Sequence, residues 1–339
     1  MTLAFLELPA AERRVYIDEA AARRGLAPVI VEKDFWVCWL LGILFQSSFR
    51  DAIVFKGGTS LSKVFGVINR FSEDIDLSLA PAFLGFDEPD ATAALSKGQA
   101  GKWMERAEAK CTTVVRDVLA PEIAAALDGQ LGDGEGPWLT FEADAHSHSP
   151  VLLFQYPTTQ PPALDYLKRS VKLEFGSLTE QRPTGTYAVR PWIAEVLPEA
   201  FTDWQCDVVA LDLHRSFWEK ATILHAEYHR PLDKVTPDRF ARHYADTAAL
   251  ALHADASGAI AKSDLCQRVV RWKSRFFGSA WARYDLAVHP TLRLVPRPER
   301  QAALRRDYLA MRDMYLSEPT PFEEILGTLA DVERQVNED

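Results

Sequence analysis

The segment from Ala52 to Leu79 constrains the fold more than any other part of the chain. Ala52-Ile53-Val54-Phe55 is a short apolar run rich in β-formers, and it leads through Lys56-Gly57-Gly58 into Thr59-Ser60-Leu61-Ser62-Lys63-Val64-Phe65, which favours helix. Strand, glycine turn and helix in that order present backbone N–H groups at a helix start, where an anion can approach without meeting a Cβ. Asp74-Ile75-Asp76-Leu77-Ser78-Leu79 then alternates polar and apolar residues with the two-residue period of a half-buried strand. Both aspartates are therefore expected on one face of that strand.

The rest of the chain arranges itself around this unit. Residues 9 to 46 read as two helices interrupted at Gly25 and Pro28. The apolar run Phe35 to Phe45 is too short to span a bilayer and reads as a buried helix. A long helical stretch is expected from about 95 to 127, then a glycine-rich loop through Gly132-Asp133-Gly134-Glu135-Gly136-Pro137. Trp138 to Glu142, Val151 to Tyr156 and Ser170 to Phe175 resemble successive strands. Beyond residue 211 the strand signals fade, and Leu211 to Glu227, Pro237 to His253 and Leu304 to Tyr315 read as helices. The expectation is an α/β chain, with a mixed sheet and flanking helices. Residues 1–50 form an N-terminal helical cap packed on the core, 51–210 the core itself and 211–339 a helical C-terminal lobe.

Composition narrows the partners and the compartment. The formal net charge of −10 gives no general reason to expect nucleic acid or an anionic membrane as a partner, although local charge can differ from the total. Cys38, Cys111, Cys206 and Cys266 lie far apart with no CxxC pair, so neither a disulfide framework nor a zinc knuckle is indicated. A reduced cytoplasm fits, and Met1-Thr2-Leu3-Ala4-Phe5 lacks the basic start and apolar stretch of an export signal.

The chemistry follows from the aspartate pair and the glycine turn taken together. Transfer of a nucleotidyl group from an NTP builds negative charge on the departing pyrophosphate, and divalent metal is the usual counter-charge. Mg²⁺, with Mn²⁺ as a substitute, prefers hard oxygen ligands, and carboxylates at i and i+2 of one strand can hold a pair of such ions. Asp74 and Asp76 have that spacing. Gly57 and Gly58 let a triphosphate reach backbone N–H groups, while Thr59 or Ser60 can donate hydroxyl hydrogen bonds near the helix start. Each signal alone is weak, since glycine pairs are common turns and Asp-x-Asp is common on wet strand faces. Their juxtaposition favours the site. Glu174, on the same strand face as Lys172, is a candidate third metal ligand, against the competing reading of an exposed Lys/Glu stripe; Glu142 is its rival on another strand. Ser72 is placed either to position phosphate or to make an ordinary strand-edge hydrogen bond.

At these residues the chain resembles the AbiEii/AbiGii-type nucleotidyltransferase toxins of bacterial toxin–antitoxin and abortive-infection systems, within the polymerase-beta-like superfamily. Phe55 to Lys63 and Phe71 to Leu77 are similar to that family's glycine turn and Asp-x-Asp motif. Val31-Glu32-Lys33-Asp34-Phe35-Trp36 is similar to its N-terminal helix, and Phe217-Trp218-Glu219-Lys220-Ala221 to its lysine motif, which implies Lys220 as a triphosphate ligand. Arg239-Phe240-Ala241-Arg242-His243-Tyr244-Ala245-Asp246 resembles the helix that carries a basic residue and two acids. Here His243 replaces the first acid, leaving Asp246 as the remaining one and Arg242 as a second cation toward the nucleotide. Leu304 to Met311 and Pro321 to Leu326 are similar to the closing helices. The resemblance implies a bilobed polymerase-beta-like fold, Mg²⁺ dependence, transfer of NMP to an RNA acceptor such as a tRNA 3′ end, and a separately encoded antitoxin. Transfer to a protein hydroxyl, or nucleotide binding without turnover, are the alternative functions.

Two further features stay open on sequence alone. Between Lys262 and Arg312 there are twelve Lys or Arg against four Asp or Glu, with Trp272, Phe276, Phe277 and Trp281 among Arg268, Arg271, Lys273, Arg275 and Arg283. That composition suits phosphate contacts with base stacking, and equally a helix core with a charged outer face. His146-x-His148 and the i, i+4 pair His225/His229 lack the companions of a zinc site.

Overall fold

The computed structural model describes residues 4–86, 95–132, 136–144, 149–161, 168–201, 204–277 and 279–338. The chain divides into two compact units. The first comprises Met1–Val64, Ser72–Ala91 and Glu105–Ala210; the second comprises Phe65–Phe71, Thr92–Met104 and Leu211–Asp339. Among the described residues no helix is long and apolar enough to cross a membrane.

The first unit is built on a seven-stranded mixed sheet. Its strands are β1 (Ile53–Lys56), β2 (Ile75–Leu79), β3 (Leu139–Ala143), β4 (Pro150–Phe154), β5 (Val171–Gly176), β6 (Thr184–Val189) and β7 (Cys206–Leu211), in the order β3-β4-β5-β2-β1-β7-β6. β1 runs antiparallel to β2 and parallel to β7, while β2 runs parallel to β5. The α/β mixed sheet expected from the alternating segments is thus present, with two strands the pattern did not announce. β6 reads Thr184-Gly185-Thr186-Tyr187-Ala188-Val189, a mostly exposed edge with little apolar signal, and β7 follows a short helix with a charged residue at its second position.

Helices α1 (Ala4–Glu7), α2 (Ala10–Arg24), α3 (Pro28–Leu44) and α4 (Gly57–Lys63) belong to this unit, as do α6 (Ala120–Leu131) and α7 (Trp192–Val196); α5 (Lys97–Val114) starts in the second unit and continues into the first. α2 ends where Gly25 takes a left-handed φ of +66° and its N–H caps the Ala21 and Ala22 carbonyls. α3 starts with Pro28 in its first turn and is buried from Val29 to Leu44, so the apolar run is a core helix. Buried with it are three consecutive charges, Glu32, Lys33 and Asp34, which require partners. α5 and α6 join through a π-helical turn at Val115–Leu119, just before Pro121, whose missing N–H cannot sustain an α-helical hydrogen bond.

The second unit is helical: α8 (Leu213–His229), α9 (Ala241–Leu252), α10 (Ser263–Phe276), α11 (Pro298–Ala310) and α12 (Phe322–Glu338). The Asp212 side chain caps α8 by accepting from the N–H groups of His214 at 2.9 Å and Arg215 at 3.4 Å. α11 spans 298 to 310 rather than 304 to 315, because Pro298 opens it and a 3₁₀ turn at Arg312–Met314 follows it. α10 settles part of the basic aromatic segment as core. Trp272 and Phe276 are buried, and the Lys273 ammonium is buried on Glu219 at 2.9 Å, so these three cannot contact RNA.

Candidate functional site

β1 delivers the chain to Lys56, which lies opposite Asp76 in the β1/β2 register, and α4 begins at the next residue. Gly57 has φ +80°, a conformation costly for any residue with a Cβ. A Cβ built there would lie 1.9 Å from Asp76 Oδ2 and 2.9 Å from Asp76 Cβ. The glycine is therefore required twice over, by its backbone and by the aspartate against it. Thr59 is wholly buried; its hydroxyl donates to the Asp74 carbonyl and lies 3.0 Å from Ser72 Oγ, tying the first turn of α4 to the entry of β2. Ser60 donates to the Gly57 carbonyl at 3.0 Å. Both hydroxyls brace the turn. The β2/β5 register sets Asp76 beside Glu174 on adjacent strands.

Electrostatics mark Asp74 as unusual. Burial, then the neighbouring charges of Asp76 and Glu73, push its carboxyl up to about 6, with Lys172 and Lys33 opposing. Two crowded carboxylates with hard oxygen donors are the chemistry a divalent cation of the Mg²⁺ type suits, so the donor set fits such an ion. Glu174 is committed differently: Lys172 Nζ lies 2.8 Å from its Oε2 and 2.9 Å from Asp144 Oδ2. Among the described residues no three His, Cys, Asp or Glu side chains form a ready-made metal cage. Glu142 is exposed on β3.

The buried charges of α3 brace this site from behind. Glu32 accepts from Thr158 Oγ1 at 2.6 Å and from the Thr159 N–H and hydroxyl at 2.6 and 2.7 Å. Lys33 donates to Glu73, the residue before Asp74, and to the Lys168 carbonyl at 2.7 Å. Asp34 pairs with Lys63 of α4 at 2.7 Å and accepts the Trp192 N–H at 2.7 Å, with the Lys63 ammonium 4.6 Å from the Trp192 ring centre. The chain between Gly57 and Asp76 is thus pinned at Lys63 and at Glu73. Sequence reasoning assigned no role to Lys63, Glu73 or Asp34; the available signal was three charges set at the start of an otherwise apolar helix.

In the second unit, Lys220 of α8 and Asp246 of α9 meet at 2.9 Å, and Arg70 grips the same carboxylate with Nε at 3.0 Å and a terminal nitrogen at 2.9 Å. Burial pushes the Asp246 carboxyl up, but Arg70 and Lys220 outweigh it and hold the group ionised, below the ordinary carboxylate range. Arg70 is held in turn by a β-bridge to Tyr315, flanked by Phe71 N–H to the Met314 carbonyl at 2.7 Å. Arg70 was missed in the sequence, since no local pattern links it to Asp246. His243, at the position of the missing acid, is driven well below its usual value by burial and by Lys220 and Arg242, so it stands as a neutral imidazole among cations. Arg242 is half-buried beside it. Glu219, next to Lys220, is clamped by Arg215 at 2.6 Å and Lys273 at 2.9 Å, which fixes α8 on α10. His146 and His148 lie outside the described residues.

A family model described as nucleotidyl transferase AbiEii toxin, type IV toxin–antitoxin system, matches residues 39–328. Comparison with curated protein sequences gives no match. Among solved structures, the chain is similar to MenT4, a nucleotidyltransferase toxin from Mycobacterium tuberculosis H37Rv. The identity is 16%, covering 95% of this chain and 97% of that chain, at a TM-score of 0.44.

Proposed function

Because the chain belongs to the AbiEii nucleotidyltransferase toxin family of type IV toxin–antitoxin systems, we propose that it transfers NMP from an NTP to an RNA hydroxyl, with a tRNA 3′ end as the acceptor. Membership supports a nucleotidyltransferase that uses an NTP and is opposed by an antitoxin. The observation that supports the nucleotide site in this reading is the contact of Gly57 with Asp76, a turn with no room for a Cβ set against the carboxylate pair.

In this reading the triphosphate lies on the backbone of Gly57 and Gly58, with Thr59, Ser60 and Ser72 shaping that turn. Asp74 and Asp76 would hold Mg²⁺ or Mn²⁺, with Glu174 as a third oxygen ligand once Lys172 yields it. The ion supplies charge neutralisation at the phosphates when bound. The acceptor hydroxyl releases its proton to water as its oxygen attacks the α-phosphorus, a new P–O bond forms, the α–β bridging P–O bond breaks and pyrophosphate leaves. The family resemblance assigns Lys220 and Arg242 as the cations that neutralise phosphate charge. Asp246 pairs with Lys220 at 2.9 Å and opposes the loss of charge that burial favours, so it acts as a positioning residue rather than a base. These substrates place the reaction in the cytoplasm.

The test incubates the protein with each α-³²P NTP, Mg²⁺ and bacterial tRNA, and separates RNA from protein on a denaturing gel. Label on tRNA that periodate treatment of its 3′ end prevents is expected. Label on protein would make a side-chain hydroxyl the acceptor and overturn the RNA assignment.

A further inference from the structure

The geometry points to a phosphate-docking surface at the C-terminal end of α8, formed by Arg283, Arg293 and Arg297 around Tyr228 and His229 and extended by Arg230 and Lys234 over Trp281. Its ligand is the sugar–phosphate backbone of the RNA acceptor, so this inference rests on the RNA reading above. All of these residues belong to the second unit.

The surface is assembled from segments distant in sequence. Arg297 and Arg293 lie 5.1 and 5.9 Å from the Tyr228 ring centre, while Arg230 and Lys234 lie 4.8 and 5.9 Å from that of Trp281. Tyr228 and His229 pack edge to face at 5.1 Å. Guanidiniums held over aromatic rings lose little freedom on binding an anion, although Arg230 also pairs with Glu227 at 2.5 Å. Arg297 and Lys234 have no ion pair among the described residues, and Arg283 and Arg293 are nearly half exposed although they touch Asp285 and Glu333.

A buried histidine holds this arrangement in place. His225, one helical turn before His229 and 4.7 Å from it, accepts the Arg293 N–H on Nδ1 at 3.0 Å and meets the Arg283 carbonyl with Nε2 at 2.9 Å. Nδ1 must therefore be the bare nitrogen and Nε2 the donor, in agreement with a ring that burial drives down to about 4. One neutral imidazole thus fixes the backbones of two arginines from different loops. Arg283 itself has φ +46°, an unfavourable conformation that persists here under that restraint. Cations converge on one point: burial, then Arg297, Arg283 and Arg293, lower the His229 ring, and its Nε2 is buried with no hydrogen-bond partner. In a chain of net charge −10, a cluster that costs self-repulsion and strain is what an anion would relieve. Within the basic segment Trp272, Lys273 and Phe276 are buried, whereas Arg283 and Arg293 face solvent.

The test titrates the full protein into fluorescently labelled bacterial tRNA between roughly 50 and 200 mM salt and measures tRNA and NTP KM values in the labelling assay. Each lost phosphate contact reduces the slope of log affinity against log salt by about 0.7 to 0.9. The variant Arg283→Ala/Arg293→Ala/Arg297→Ala should therefore lower the slope by about 2 to 3 and raise KM for tRNA at least about tenfold, with KM for NTP unchanged. Arg297→Ala alone, which breaks no ion pair, should lower it by about 1, and a triple Arg→Lys variant should keep most of it. Wild-type protein that labels tRNA alongside an Arg297→Ala variant of unchanged slope overturns the docking surface and leaves the RNA reading standing. Wild-type protein that neither binds nor labels tRNA overturns both.

Discussion

Replacing Gly57 with alanine puts a methyl group 1.9 Å from Asp76 Oδ2, 2.7 Å from its Cγ and 2.9 Å from its Cβ. Rotating the carboxylate relieves only the first two contacts, because the third involves the atom about which the side chain turns. Asp76 or α4 must therefore move by something on the order of an ångström, a displacement that costs catalysis roughly 100-fold when it misplaces a reacting group. Stability should fall less: about 1 to 2 kcal/mol for the positive φ plus about 1 to 3 kcal/mol for overpacking, less whatever relaxation recovers. Gly25→Ala is the matched control, since Gly25 has φ +66° with no atom within 4 Å of the added Cβ. Label transfer per folded molecule, with folding checked by chemical denaturation, should drop about 100-fold for Gly57→Ala and stay unchanged for Gly25→Ala. Turnover within threefold of wild type in a folded Gly57→Ala protein would refute the claim that the glycine exists to admit Asp76.

Asp246→Asn preserves shape but strands Arg70 and Lys220 in a buried site, so urea denaturation should show a loss of about 3 to 5 kcal/mol, and NTP affinity should fall with it. Lys33→Met leaves Glu73 without its buried cation beside Asp74; a loss of about 3 kcal/mol is expected, with metal affinity lowered in isothermal titration. His225 has a folded pKa of about 4, below its unfolded value of about 6.5, so it contributes stability that is complete above 6.5 and is lost as pH falls toward 4. Roughly 3 kcal/mol should disappear across that window, and a His225→Gln variant should show a correspondingly flatter stability profile from pH 7 to 4.

The elements legible in the sequence were those with a strong period or a strong breaker. The buried α3 announced itself by apolar residues on every side, and the strand–glycine–helix turn by Ile53-Val54-Phe55 followed by Gly57. β6 was not legible, because an exposed edge strand containing Gly185 and two threonines carries no two-residue apolar alternation. The carboxylates Asp74 and Asp76 could be read from their spacing, whereas what holds them in place could not. Lys33 reaches Glu73 across 40 residues and Arg70 reaches Asp246 across 176, and long-range ion pairs leave no local pattern. The basic stretch from Lys262 to Arg312 illustrates the same limit. Which of its aromatics are core and which face solvent depends on α10 packing against α8, which composition alone does not specify.

Nucleotidyl transfer at the carboxylate pair is tested most directly by measuring pyrophosphate release and tRNA labelling together, in wild type and in Asp74→Ala and Asp76→Ala proteins that remain folded. One pyrophosphate released per nucleotide joined to tRNA, with both signals lost in each variant while NTP still binds, is the predicted result. Label transfer that survives in both variants would contradict the account.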